Sequence, residues 1–468
     1  MGDRRKSVLA QLRRPLPLTY KGVMLDGGYR LDVVVEEKLV VELKAVDHLL
    51  SVHEAQVLTY LKLTGLDVGL LVNFNTPVLR GGIRRLVRRD AEGVRLESSA
   101  VRRRHGQRRR PRERAAFVVH LMDRSGYTSD MIDLAKLAAI SDPPPIRTAA
   151  VERGIADSVA YLGSDAAQRS LELDPYWPKW HSPWWHMLLL HELGEARQIP
   201  ARAAAAMAAG LDRLLHIFPI HPGDAPGANL QRDIACHCAL GTMFQVLTAC
   251  GIDVDRALPW IKPWFVRYQM VDGGLNCDEA AYRQTGECPS SMVATVAPLE
   301  AMLLGEAWSN EQRAFVDRAA RFLIDRALIH GSQTVHNAEE RGAEVAWRAL
   351  AFPHFYFYDV LRGLAALVRW AETTEQTLPH AAIAIVVEAL VERSPDGVAR
   401  VERQAHAASS TILPTADRSP SPHAPASTFP LLEAVSVIGE PSEALTRQWS
   451  AARAGVLRLS RAGRLVVE

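Results

Sequence analysis

Asp32, Glu42 and Lys44 are the residues whose types and spacing most directly describe a reaction. Two carboxylates on one surface can hold a hard divalent cation, Mg2+ or Mn2+, through oxygen ligands. Such an ion polarises a phosphodiester and makes a bound water more acidic. An ammonium group beside it orients that water or offsets charge on the phosphate. Gln56 and Tyr60 follow four residues apart, so on a helix they share a face. A second group is sulfur-rich: Cys236, Cys238, Cys250, Cys277 and Cys288, with His237 among them and His354 downstream. Thiolate and imidazole ligands suit Zn2+. The competing reading is of buried apolar cysteines around a structural His237. Cys236 and Cys238 are two apart on a predicted helix and should point in different directions. Cys277 and Cys288 flank a loop and could bridge, although cytosolic redox conditions argue against it.

The elements that must position the acidic group are legible. Residues 31–35 and 39–45 are β-rich runs separated by the polar Glu36-Glu37-Lys38, a hairpin pattern without Gly or Asn at its turn. A turn centred on Glu37 sets Asp32 opposite Glu42, and the period of two puts Glu42 and Lys44 on one face. Opposed residues on an antiparallel ladder stand about 5 Å apart, so Asp32 joins them. Residues 51–64 predict a helix, with Ser51 as N-cap and Glu54 completing a capping box. Residues 66–74 predict a returning strand. The expected arrangement is a small mixed sheet with a covering helix.

Composition bounds the rest. The 468 residues suffice for roughly two to four domains. With 48% apolar and 23% charged residues the chain is of ordinary globular type, and a net charge of +2 provides no global field to select nucleic acid or membrane. No run approaches the roughly 20 apolar residues of a membrane span, and the opening Met1-Gly2-Asp3-Arg4-Arg5-Lys6 has no apolar run behind it. A cytoplasmic protein is expected.

Four segments are expected: an α/β domain over 1–90, an Arg-rich linker over 91–117, a helical domain over 118–373, and a degenerate tail over 374–468. Eight arginines fall within 102–114, which reads as a solvated connector or as a nucleic-acid contact. In the helical part, Ser182-Pro183 starts a helix and Gly194 ends it. Trp177, Trp180, Trp184 and Trp185 line an apolar cavity or pack between helices. Helices recurring every 40 to 60 residues, roughly, predict a loose helical repeat. In the tail, 378–400 holds one more helix, 409–430 is Pro/Ser-rich and reads as disordered, and a short helix is expected over 441–454.

Two resemblances add to this reading. Tyr20 to Val23, Asp26 to Asp32, Val41 to Ala45, His53 to Gln56, Tyr60-Leu61 and Asn73 to Asn75 resemble the GxxExxY family of the PD-(D/E)xK nuclease-like superfamily, over about residues 10–88. That resemblance implies Asp32, Glu42 and Lys44 as the catalytic set, with Gln56 and Tyr60 as the helix motif. It also implies a preceding helix bearing Gly-x-x-Glu-x-x-Tyr, which does not precede these residues. A domain truncated at its N-terminus, with an impaired site, is therefore expected. Gln269-Met270-Val271-Asp272-Gly273-Gly274-Leu275 resembles the Gln-Asp-Gly-Gly-Trp repeat motif of terpenoid cyclases. With residues 289–300 and 358–362 it implies the α/α toroid that those cyclases share with protein prenyltransferases. The acidic Asp-x-Asp-Asp motif is absent; Asp253-Val254-Asp255-Arg256 is its nearest counterpart. By resemblance to the prenyltransferase zinc ligands, Asp272 (or Asp278), Cys277 and His354 would hold Zn2+.

The sequence thus predicts a multidomain chain: a small α/β nuclease-like domain, an all-α toroid-like domain and a partly disordered tail. The functional expectation is an impaired divalent-metal-dependent nuclease that meets nucleic acid through the N-terminal domain and the Arg-rich linker. The alternatives are a toroid enzyme acting on an apolar small molecule, or a non-catalytic binding protein.

Overall fold

The structure is a computed structural model and describes residues 10–20, 23–35, 38–44, 51–73, 83–87, 132–144, 146–221, 223–305, 307–337, 339–406, 410–416 and 423–467. The Arg-rich run at 102–114 lies outside the described residues. The chain divides into two compact units, Met1–Ser125 and Gly126–Glu468.

The first unit is a mixed five-stranded sheet in the order β1-β2-β3-β4-β5: β1 Ala10–Tyr20, β2 Val23–Val35, β3 Leu39–Lys44, β4 Val68–Asn73 and β5 Ile83–Val87. All neighbours are antiparallel except β3 and β4. A parallel pair needs a crossover, and α1, Ser51–Thr64, provides it. The long β1 carries Pro15 and Pro17, residues that a central strand does not accommodate. They are tolerated at the sheet edge, and the register shifts between Leu16 and Leu18, across Pro17. Val57, Tyr60 and Leu61 of α1 are buried against Val34, Val40, Leu71 and Leu86. Gly69 permits this approach: a Cβ there would stand 2.4 Å from Val57 Cγ1.

The second unit is predominantly helical. Five helices form its inner layer: α2 Pro183–Glu192, α3 His237–Ala249, α4 Met292–Met302, α5 Val360–Thr374 and α6 Glu443–Arg461. Each packs on the next. Arg447 of α6 returns to α2, donating to the Glu192 carbonyl at 2.6 Å, which closes the ring. Arg147 clamps the same seam, with Glu195 at 2.5 Å and Glu443 at 2.8 Å. Residues Pro183 to Leu190 are all buried, and α3 and α4 are buried on nearly every side. Helices apolar all round belong inside. The outer helix Asn310–Asp325 is amphipathic instead, burying Phe315, Val316, Ala319, Ala320, Phe322 and Leu323. Inner helices thus alternate with outer ones, giving the toroid character that the resemblance implied.

Helix α2 begins at Ser182-Pro183 as expected, and Gly194 (φ 84°) takes the left-handed position just beyond its end. The tail carries more structure than its composition suggested. Helix α6 runs 19 residues where a short helix was expected. Its buried stripe of Leu445, Trp449, Ala452, Val456 and Leu459 packs beside α5. Ser410–Ile412 and His423–Pro425 form a short antiparallel pair, and residues 417–422 lie outside the described residues.

Helices α3 and α4 pack backbone against backbone. A Cβ on Gly241 would stand 2.5 Å from the backbone C of Ala297 and from the N of Pro298. Backbone cannot yield as a side-chain tip does. Gly241→Ala should therefore destabilise the helical unit by about 1–3 kcal/mol, the range for overpacked cores, despite Ala being the better helix former. Denaturant titration followed by tryptophan fluorescence checks this; an unchanged midpoint would show that the two helices are not in contact there.

Candidate functional sites

The acidic site follows from sheet register. Val33 pairs with Val41, Val34 with Val40 and Val35 with Leu39. One step further, the same register sets Asp32 opposite Glu42. Val40 lies beside Gly69 and Glu42 beside Leu71 on β4, and Gly69 is where α1 packs. Asp32 and Glu42 therefore occupy the face that α1 covers, and Lys44 is the last residue of β3. Glu42 is buried and Asp32 half-buried. The Lys44 side chain lies outside the described residues. Gln56 Nε2 donates to Tyr60 Oη at 2.5 Å across one turn of α1, and Tyr60 is buried on the same side of the sheet. The parallel register adds a residue that the sequence did not single out as functional: Asn73, almost fully buried, is the β4 neighbour of Lys44.

The sulfur group assembles differently from expectation. Cys236 Sγ lies 3.2 Å from Cys238 Sγ, and Cys277 Sγ lies 3.5 Å from Cys238 Sγ. All three sulfurs are within 4.8 Å of one another, and all five cysteines are free. Cys236 and Cys238 do not diverge, because Cys236 is the N-cap of α3 in an extended conformation (φ −89°, ψ 163°) and not a helical residue. The loop bearing Cys277 is held by Asn276, whose Nδ2 donates to the Pro289 carbonyl at 2.5 Å. Cys288 lies apart, 3.7 Å from Ser290 Oγ. Contacts with Cys238 and Cys277, together with its place at the helix start, hold the Cys236 thiol well below the ordinary thiol range.

His237 is structural. Trp264 Nε1 donates to its Nδ1 at 2.7 Å, which leaves Nε2 to donate to Tyr282 Oη at 3.1 Å. Burial lowers its pKa to about 4. Lys179 is enclosed by aromatic rings. Its Nζ lies 5.1–5.6 Å from the centroids of Tyr176, Trp177, Trp180 and Tyr356 and donates to Tyr356 Oη at 3.0 Å. A cavity of about 190 Å3 is lined by Tyr176, Trp177, Trp184 and Cys236, among others.

Asp272 and His354 do not join Cys277. Asp272 accepts from Ser290 Oγ at 2.6 Å and from the Gly274 amide at 3.1 Å, with Arg326 at 3.6 Å. The neighbouring Gln269 donates to the carbonyls of Gly273 and Phe315, and a Cβ on Gly273 would meet the Arg318 carbonyl at 2.2 Å. The Gln-Asp-Gly-Gly stretch thus fastens the loop to the outer helix. His354 faces Asp359 at 2.9 Å and Glu192 at 3.4 Å, one carboxylate at each ring nitrogen. It borders a cavity of about 420 Å3 inside the helix ring, also lined by His191, Glu192, Glu300, Arg362, Arg369 and Arg447.

Residues 4–86 match the family model of the PD-(D/E)XK nuclease superfamily. The N-terminal unit is therefore a PD-(D/E)XK-like domain. No curated protein matches the chain. Among solved structures, two forms of the type II terpene cyclase MstE from Scytonema, in complex with geranylgeranyl dihydroxybenzoate, are similar at 12% identity. They cover 70% and 69% of this chain and 99% and 98% of their own, with TM-scores of 0.21 and 0.22. That likeness sets no residue equivalences. No described helix is long and apolar enough to cross a membrane.

The His354 cluster has a pH signature. Burial opposes the charged ring, but Asp359 and Glu192 overcome it and raise the pKa from 6.5 to about 9. The stabilisation is complete below about 6.5, where the unfolded chain is also protonated, and is lost as pH rises to about 9. The thermal midpoint of the helical unit should fall across that window, and His354→Gln should flatten the fall. Every tryptophan lies between residues 177 and 449, so tryptophan fluorescence reads this unit alone; an equally steep profile in the variant would remove His354 from the account.

Proposed function

We propose that the N-terminal unit is a divalent-metal-dependent phosphodiesterase of the GxxExxY type, acting on nucleic acid. The register that opposes Asp32 and Glu42 beneath α1 carries this reading. Asp32 and Glu42 would hold Mg2+ or Mn2+, which supplies Lewis-acid polarisation and a more acidic water when bound. Glu42 is fixed by burial, whereas the half-buried Asp32 faces the side from which a substrate phosphate enters. Lys44 offsets charge on that phosphate, and Gln56 and Tyr60 orient it from the covering helix. The basic run at 102–114 would meet the nucleic-acid backbone.

Three converging sulfurs favour a second reading, for the helical unit. We infer that Cys236, Cys238 and Cys277 hold a thiophilic ion, Zn2+. Asp272 and His354 are left out of that set, since each is engaged elsewhere.

The test is hydrolysis of single- and double-stranded DNA and RNA by the full chain with Mg2+ or Mn2+. Glu42→Gln and Lys44→Ala should each lower the rate by about 100-fold or more, the scale for losing one transition-state stabiliser. Full-rate cleavage by both variants would sink the assignment. Saturable Mn2+ and nucleic-acid binding with no cleavage by the unsubstituted protein would instead support a binding role.

A further inference from the structure

We propose that the three-sulfur site keeps one coordination position open, and that this position takes a neutral donor molecule from the aromatic cavity beside Cys236. The proposal rests on the Zn2+ reading above.

The sulfurs are arranged for an ion. Zn–S bonds of about 2.3 Å at tetrahedral angles set sulfurs about 3.8 Å apart, while a disulfide needs about 2.0 Å. The observed 3.2 and 3.5 Å lie much nearer the first value.

The protein offers three ligands and no fourth among the described residues. The adjacent His237 cannot turn in, because Trp264 and Tyr282 occupy both its nitrogens. A three-ligand zinc site leaves a position for water or another exogenous donor. Cys236 is the ligand that also lines the 190 Å3 cavity, whose other walls include Tyr176, Trp177 and Trp184. The open position is therefore reached from that cavity.

Charge decides the kind of donor. Three thiolates and Zn2+ carry one net negative charge. Lys179 packs against Tyr176 and Trp177, which line the cavity together with Cys236, and its ammonium would restore neutrality. A neutral fourth ligand preserves that balance; an anion would leave a buried charge unpaired. Water fits at rest, and a neutral nitrogen base with a flat apolar body fits the aromatic walls.

The full chain, purified under reducing and oxygen-free conditions, is loaded with Co2+ in place of Zn2+, and its visible spectrum is read. One ion per chain with sulfur-to-cobalt charge-transfer bands is expected, lost in Cys238→Ser and kept in Cys250→Ser and Cys288→Ser. Imidazole should shift the d–d bands saturably, and azide should not. Lys179→Met should weaken Co2+ binding by about tenfold, as for other groups that support metal ligands, with Lys179→Arg restoring it. Tryptophan fluorescence confirms that each variant is folded. Absence of stoichiometric metal would overturn the Zn2+ reading itself. Bound metal whose spectrum ignores imidazole, or responds more strongly to azide, would leave the ion in place and overturn the open neutral position.

Discussion

The ion pair between Glu300 and Arg362 is the constraint on which the helical unit depends. It joins α4 to α5 at 2.6–3.1 Å through one guanidinium edge, Nε and Nη2. Gln245 of α3 donates to the same carboxylate at 3.2 Å. Burying two charges costs several kcal/mol per ion before their attraction is counted. The pair therefore contributes specificity more than net stability: removing either partner strands the other inside the ring. Arg362 also donates to the carbonyls of Phe355 and Phe357 at 3.2 and 2.8 Å. Those bonds fix the loop on both sides of Tyr356, and Tyr356 receives the Lys179 ammonium. Phe355 stacks on Trp180 at 5.6 Å. A charge pair at the centre of the ring thus sets the aromatic wall beside the sulfurs.

The N-terminal unit reaches a comparable end by another route. Its polar groups are placed by ladder register. Once the hairpin fixes Asp32 against Glu42, the parallel pairing of β3 with β4 fixes which residues of β4 stand next to them. The crossover that a parallel pair requires is α1, the same helix that brings Gln56 and Tyr60 to the site. Topology and site chemistry are therefore one constraint in this unit, since a one-residue slip would move every carboxylate to the opposite face.

Short-range patterns made much of this legible in the sequence. The hairpin register needed only a turn centre and a period of two. The Gln56–Tyr60 contact needed only helical spacing, and the α2 boundaries only Ser-Pro and Gly. The unread parts depend on departures from regular geometry or on distant neighbours. Prolines masked β1, which survives because it is an edge strand with a shifted register. The Cys236–Cys238 contact was missed because spacing alone does not reveal that a helix begins one residue after Cys236. The length of α6 was obscured by its alanines and arginines, which form a stripe only against α5. Resemblance to a zinc ligand set drew in Asp272 and His354, but fastening loops and burying carboxylates claim both.

The two cavities of the helical unit differ in their walls. The larger cavity, inside the ring, is walled by Glu192, Glu300, Arg362, Arg369 and Arg447 as well as by Leu188, Phe352 and Phe355. Arg362 is engaged by Glu300 and two carbonyls. Arg369 reaches the Leu303 carbonyl at 3.2 Å, and Arg447 reaches that of Glu192, so each retains N–H groups that need water or a polar partner. An oily occupant would strip their hydration and return no hydrogen bonds, at a cost of several kcal/mol for charged groups. The smaller cavity is walled by Tyr176, Trp177, Trp184, Ala235 and Ala239, and its Arg232 is paired with Asp174 and donates to the carbonyls of Leu173 and Thr415. The smaller cavity, next to Cys236, thus has the more apolar walls, and the ring's centre the more charged ones.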